Sequence, residues 1–210
     1  MKPSKICVLA SGGIESSALL YLAARRYRQV FPLYVSHGFF WEATEIHWLR
    51  RYLRKLGQRS VQPLTVCPYP LRPQYREHWS FSGERVPSAA SQDEAVFLPG
   101  RNVLLLTLAA VFCYSRKISR IAIGTLKGNP FPDSSPLFFR AMAKALSRGL
   151  DFPIKIECPF RHLEKRGVLR LASGAPLDLT FSCLQPRGWQ PCGRCNKCAE
   201  RLRALKAMQS

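Results

Sequence analysis

Residues 6–17 read ICVLASGGIESS, and no other stretch constrains the fold as tightly. An apolar run from Ile6 to Ala10 stops at Ser11-Gly12-Gly13. A helical pattern begins at once, with Ala18, Leu19, Leu22 and Ala23 on one face. A buried strand joined to a helix by so short a turn is the opening of a βαβ unit. The rest of the chain repeats the alternation. Residues 30–36, 60–66, 120–124 and 154–160 read as further strands, with Pro63 suiting residues 60–66 to a sheet edge. Residues 41–57, 102–116, 136–147, 164–171 and those from 196 onward read as helices, and Gly57 stops the first of these. Residues 67–97 break the rhythm with Pro68, Pro70, Pro73 and Pro87, and read as a long loop. The expected fold is therefore α/β, a parallel sheet with helices on both faces. Ligands of such sheets bind beyond the carboxyl ends of the strands. Residues 11–17, 38–41 and 125–135 all fall there and should converge.

The loop itself is suited to phosphate. Glycine lets backbone approach a ligand closely. Successive amides in such a turn form an anion nest, and the helix N-terminus adds its dipole. Ser11, Ser16 and Ser17 add hydroxyl groups. Neither G-x-x-x-x-G-K-[ST] nor G-x-G-x-x-G occurs, so the loop is neither of the two commonest nucleotide motifs. A serine-capped strand-to-helix turn is the plain structural alternative.

Charge points the same way. The 210 residues hold 32 Lys and Arg against 13 Asp and Glu, a net charge of +19. Such a surface favours anionic partners or is simply well solvated. The opening MKPSKICVLA is too quickly polar for a signal peptide. The longest apolar run, residues 103–113, falls short of the ~20 residues a bilayer span needs. A soluble, cytoplasmic protein without membrane contact is expected.

Four of the eight cysteines crowd into CLQPRGWQPCGRCNKC, where Cys183, Cys192, Cys195 and Cys198 are spaced C-x8-C-x2-C-x2-C. Four thiolates on one short segment suit a closed tetrahedral zinc site of structural type. An iron–sulfur cluster is the alternative for the C-x2-C-x2-C run. Cys7, Cys67, Cys113 and Cys158 are scattered in the chain and read as core residues.

SGGIESS resembles the S-G-G-x-D-S pyrophosphate loop of the PP-loop ATP pyrophosphatases, with Glu15 at the usual Asp position. Loop and cysteine cluster together resemble the 7-cyano-7-deazaguanine synthase family of queuosine biosynthesis. FLPGRNVLLLTLAA is similar to that family's GRN loop and helix, GNPFPDSSPLFFRAM to its Tyr-Pro-Asp-Cys-Arg segment, and PFRHLEKRGVLRLA to its lysine-bearing stretch. The resemblance implies an adenine nucleotide alpha hydrolase-like fold. Residues 1–180 would form the ATP-binding synthase domain, and residues 181–210 a four-cysteine zinc segment with the C-terminal helix packed on it. It implies that 7-carboxy-7-deazaguanine and ammonia become the nitrile at the expense of Mg-ATP, through an adenylated carboxylate.

Residue by residue, the resemblance puts nucleotide binding on Ala10, Ser11, Gly12, Gly13, Ile14, Glu15, Ser16, Ser17, Ala18, Leu19 and Leu20, with Glu15 toward magnesium. Arg101 and Lys165 become the cations for substrate carboxylate or phosphate. Asp133 would read the guanine-like edge of the base, with a helix cap as its alternative role, and Phe131 would stand beside it. Asn102 would shape the site or cap a helix. His37 and the aromatics Phe39, Phe40 and Trp41 are candidates for the nucleotide or base pocket, while His47, His78 and His162 show no ligand spacing. Ser134-Ser135 and Phe131 replace the family's Cys-Arg and Tyr. A PP-loop ligase using another amine, a tRNA-modifying PP-loop enzyme, and a basic zinc module binding nucleic acid stay open as alternatives. Nucleic acid is not required for the main reading, and a homodimer is compatible with it.

Overall fold

The computed structural model describes residues 3–206. Five parallel strands form one sheet: β1 (Lys5–Leu9), β2 (Gln29–Ser36), β3 (Thr65–Pro68), β4 (Arg120–Ala122) and β5 (Lys155–Glu157), in the order β3-β2-β1-β4-β5. Both faces are covered, so the central strands run apolar through Ile6–Leu9 and Val30–Val35 rather than alternating, while the edge strand β5 keeps Lys155 and Glu157. Ile6, Val8 and Ala10 face one layer, in which α1 (Ile14–Arg26), α2 (Glu42–Leu56) and α7 (Lys165–Leu171) pack. Cys7 and Leu9 face the other, built by α5 (Arg101–Ser115) and α6 (Pro136–Gly149). Two short helices, α3 (Arg72–Tyr75) and α4 (Trp79–Ser82), interrupt the long loop, and α8 (Asn196–Lys206) closes the described chain.

Local chemistry sets the element ends. Gly57 sits in the left-handed region (φ 57°) and its N–H reaches back to Leu53 O, which ends α2 where the glycine lies in sequence. Ser135 caps α6 by accepting from Phe138 N, with Pro136 at the first helical position. The α2 helix is clamped to α1 by the buried Tyr52, whose hydroxyl donates to Ser17 O at 2.6 Å.

Two expectations need correction. The third strand lies at Thr65–Pro68, not residues 60–66; before it the chain meets β2 only at an isolated bridge, where Val61 stands beside Val30 and Ser60 O and Gln62 N bond the Val30 backbone. Pro63 lacks the N–H a ladder needs, so pairing starts beyond it. Its edge position is as expected. The last strand spans Lys155–Glu157 alone, because Cys158 onward turns away toward α7. Cys7 and Cys113 are buried in the core, as read, while Cys67 and Cys158 pack at its margin.

The segment after residue 180 has no separate core. Its cysteines share a cluster with Phe39, Trp41, Leu71, Val96 and Leu98. Phe181 N–H donates to Gly12 O at 2.8 Å, which fastens the cysteine segment to the glycine loop. Among the described residues, no helix is long and apolar enough to cross a membrane.

Candidate active site and metal centre

Strand order reverses direction between β1 and β4, and there the chain opens a cleft. Its volume is about 300 Å³, and it adjoins a smaller cavity of about 150 Å³ that shares Ser11, Glu15, Arg101 and Gly124 with it. The three segments expected to meet do so: Ser11, Gly13 and Glu15 come from the loop, Trp41 from the start of α2, and Leu126 to Phe131 from the β4 exit. Arg101, Lys165, Ser182, Lys197 and Glu200 line the cleft too, beside Glu45, Asp93 and Cys183.

The loop is folded around the hydroxyl of Ser16. Its Oγ accepts from the Ser11 and Gly12 amides, each at 3.1 Å, and donates to Gly13 O. Gly12 has φ 82°, which glycine adopts without a Cβ penalty, and it lies against α2 near Glu45 O and Leu49. Gly13 ends the turn as the N-cap of α1 without any side-chain cap. The first amides of that helix are thus left for an anion. Ser11, Gly13, Glu15 and, in the smaller cavity, Ala10 and Ser16 face open space. Ile14, Ala18, Leu19 and Leu20 do not. They are buried in the core on the sheet side of α1, and Ser17 is buried beneath the loop. Helical periodicity explains the split, since only the first turn can face the ligand.

The two expected cations both line the cleft, in different states. Arg101 opens α5, lies with its guanidinium carbon 5.6 Å from the Phe39 ring centre, and leaves a buried Nε without a partner. Lys165 is held. Its Nζ lies 2.8 Å from Glu15 Oε1 and also bonds Glu200 Oε1, while Lys197 reaches Glu200 Oε2 at 2.8 Å. Burial works against the Lys165 charge, but the two carboxylates outweigh it and raise its pKa. Burial likewise opposes ionised Glu200, yet Lys197 and Lys165 hold its carboxyl down at about 2.

Glu45 was not a candidate from sequence, because it reads as one more residue of an amphipathic helix. It is buried at the cleft wall, and Tyr34 donates to its Oε2 at 2.7 Å. Burial lifts its pKa to about 8 against the pull of Arg101. One turn earlier, Glu42 Oε1 accepts from His37 N at 2.7 Å and its Oε2 accepts from Gly38 N and Ser36 Oγ, which shapes the β2 exit. Lys127, Lys197 and Glu200 also escaped sequence reading, since a tail helix and a loop show no period that marks them as cleft residues.

Asp133 stands elsewhere than expected. Its Oδ2 accepts from the Asn102 N–H at 3.0 Å and its backbone O from Asn102 Nδ2 at 2.9 Å, so it caps the first turn of α5 and does not line the cleft. The cap of the following helix is Ser135 instead. Phe131 does reach the cleft and stacks on Phe97 with centroids 5.0 Å apart. His37 is buried away from it, with Nδ1 2.9 Å from Tyr69 O. Trp41 is buried between Phe39 and Trp79, while Phe40 is exposed. His78 caps α4, His47 stacks on Trp189, and His162 accepts from Arg161 Nε.

The sulfur atoms of Cys183, Cys192, Cys195 and Cys198 all lie within 4.8 Å of one another. A tetrahedral zinc with Zn–S bonds near 2.3 Å spaces its sulfurs by ~3.8 Å, so the set fits with little movement. Backbone N–H groups already point at two of them, from Leu184 to Cys195 at 3.4 Å and from Cys192 to Cys183 at 3.3 Å. Such donors stabilise thiolate ligands.

A parallel α/β sheet carrying this glycine–serine loop on its first strand, with cations gathered at the switch point, is a PP-loop ATP pyrophosphatase fold. A solved U34-tRNA thiolase from Methanococcus maripaludis superposes with TM-score 0.57 at 13% identity, over 100% of this chain and 66% of that one, which supports the fold alone. The family model described as "Queuosine biosynthesis protein QueC" matches residues 5–209, and the chain belongs to that family. It is similar to 7-cyano-7-deazaguanine synthase 1 of Desulfitobacterium hafniense, 30% identical over 98% of this chain and 93% of the relative. The 7-cyano-7-deazaguanine synthase of Acidobacterium capsulatum is 29% identical over the same shares.

Proposed function

We propose that the chain converts 7-carboxy-7-deazaguanine and ammonia to 7-cyano-7-deazaguanine with Mg-ATP, acting in the cytoplasm as a carbon–nitrogen ligase. The carrying observation is the meeting of an uncapped helix N-terminus, Arg101 and Lys165 in one cleft of a QueC-family chain. A carboxylate is a poor electrophile, and adenylation supplies it with a leaving group. Its oxygen attacks the α-phosphorus and pyrophosphate departs. Ammonia then displaces AMP to give the amide, and a second adenylation on the amide oxygen lets AMP leave as the nitrile forms.

The residues divide this work by their chemistry. The Gly13–Glu15 amides and the Ser11 hydroxyl hold the phosphates at the positive end of α1. Arg101, which has no carboxylate partner among the described residues, offers a bidentate fork to the charge that develops on transfer. Glu15 is the carboxylate placed to hold magnesium, which would neutralise the phosphates when bound. In taking that role it loosens its grip on Lys165. The neutral Glu45 carboxyl at the wall suits proton exchange with the incoming amine. Phe131 supplies flat apolar surface for the deazaguanine, and the buried Trp41 closes the wall near it.

The four cysteines hold zinc in a structural role, since four protein ligands leave no position open for water. Incubation with ATP, magnesium, ammonia and 7-carboxy-7-deazaguanine, followed by mass spectrometry and a pyrophosphate assay, tests the reading. The nitrile with release of AMP and pyrophosphate is expected; pyrophosphate release without nitrile would overturn the assignment of product.

A further inference from the structure

Four cations line the cleft, Arg101, Lys127, Lys165 and Lys197, which leaves most of the +19 charge elsewhere, and the outer face of α2 shows where part of it gathers. The two glutamates of α2, Glu42 and Glu45, are both buried toward the cleft side. Its exposed C-terminal half carries Arg50, Arg51, Arg54 and Lys55. None of these four forms an ion pair with a carboxylate among the described residues. Both carboxyl groups of the helix thus point inward and the outward field of its arginines and Lys55 is uncompensated.

That face borders a groove of about 670 Å³ between α2 and residues 57–64, lined by His47, Arg50 and Arg54 with Gln58, Val61 and Trp189, and by no acidic residue. It shares no lining residue with the catalytic cleft. Trp189 is 53% exposed, an unusual state for a large aromatic. It is also built in. Trp48 Nε1 donates to Trp189 O at 2.8 Å, Thr44 Oγ1 donates to Gly188 O at 3.0 Å, and the indole stacks on His47 at 4.4 Å between centroids. A pinned, half-exposed indole beside unpaired arginines combines a stacking platform with phosphate contacts.

We propose that this groove binds single-stranded nucleic acid, with an unpaired base on Trp189 and the flanking phosphates on Arg50 and Arg54. Base–aromatic stacking tolerates any base, so binding is weakly sequence-dependent, and neutralised phosphates make it salt-dependent. A duplex can use the arginines but cannot offer a free base face to the indole. The proposal stands apart from the reaction in the cleft and holds or fails independently of it.

The test is fluorescence anisotropy with a labelled single-stranded RNA of about 12 nucleotides, within the usual site sizes for such grooves. Heparin and a duplex of equal length serve as comparisons, over a salt series. The full chain should bind the single strand more tightly than the duplex. Arg50→Ala with Arg54→Ala should lower the slope of log K against log salt by roughly 1.4, two phosphate contacts at ~0.7 each. Trp189→Ala should weaken the single strand by roughly fivefold or more and leave heparin unchanged, and Trp189→Phe should restore most of the loss. Mg-ATP affinity should stay at the wild-type level in all variants, since none touches the cleft. Equal binding of single strand, duplex and heparin with Trp189→Ala unaffected would reduce the face to general polyanion attraction and overturn the proposal. So would single-strand binding that survives loss of both arginines.

Discussion

Replacing Gly13 with alanine separates the loop's role in the fold from its role in binding. Gly13 has φ −69°, ψ 167°, a conformation any residue adopts, so the backbone should not resist the change. An added Cβ would lie 3.3 Å from Ser182 Oγ, 3.5 Å from Ser11 Oγ and 3.8 Å from Glu15 Oε2. It would enter the cleft among the groups proposed to receive phosphate, and only flexible side-chain ends would have to give. Stability should therefore change by less than about 1 kcal/mol. Binding should suffer more, because a methyl group there denies the phosphate one or two charge-assisted hydrogen bonds, each worth ~1.5–3 kcal/mol. That corresponds to a loss of affinity for Mg-ATP from roughly tenfold, for one bond, to roughly ten-thousandfold, for two strong ones, measurable by titration calorimetry beside thermal melting. Gly12→Ala provides the contrast. At φ 82° it places a Cβ in a strained backbone, 3.4 Å from Glu45 O, and should lower the melting temperature itself. Wild-type Mg-ATP affinity in Gly13→Ala would refute the placement of the phosphates.

Further outcomes follow from the same geometry. Purified protein should carry one zinc per chain by elemental analysis, and Cys195→Ser should lose the metal and melt earlier, because metal binding and folding are linked; iron with labile sulfide would overturn zinc. Asp133→Ala should destabilise the fold by about 1 kcal/mol through loss of the α5 cap, measured by urea unfolding, with Mg-ATP affinity preserved. Burial raises the Glu45 pKa to about 8, so the folded protein keeps a proton that the unfolded chain sheds near pH ~4.3. This contribution makes stability fall as pH rises from there to about 8, and Glu45→Gln should flatten that decline in unfolding experiments run across the range. Glu200→Gln should raise KM for the carboxylate substrate more than it lowers kcat, since it frees Lys165 from one of its two anchors without removing it.

Much of this protein can be read locally. The strand–glycine–helix junction at residues 6–17, the stop at Gly57 and the Ser135-Pro136 helix start each depend on neighbours in sequence, because hydrogen bonds that close within a turn need no distant partner. The C-x8-C-x2-C-x2-C spacing was legible for the same reason: one segment supplies every ligand. The parallel sheet followed from alternation, since parallel strands need crossovers. Tertiary structure decided the rest, where partners lie far apart in the chain. Whether Asp133 faced a base or an amide depended on where α5 began, 31 residues away, and packing placed Asn102 on it. Lys165 reads as a free cation, yet Glu15 and Glu200, from opposite ends of the chain, hold it between them. Glu45 has an ordinary place in a helix pattern, and only its burial against Tyr34 makes it a carboxyl that stays protonated near neutrality. Local sequence sets what each segment can be; the charge state and direction of a side chain depend on what the fold packs against it.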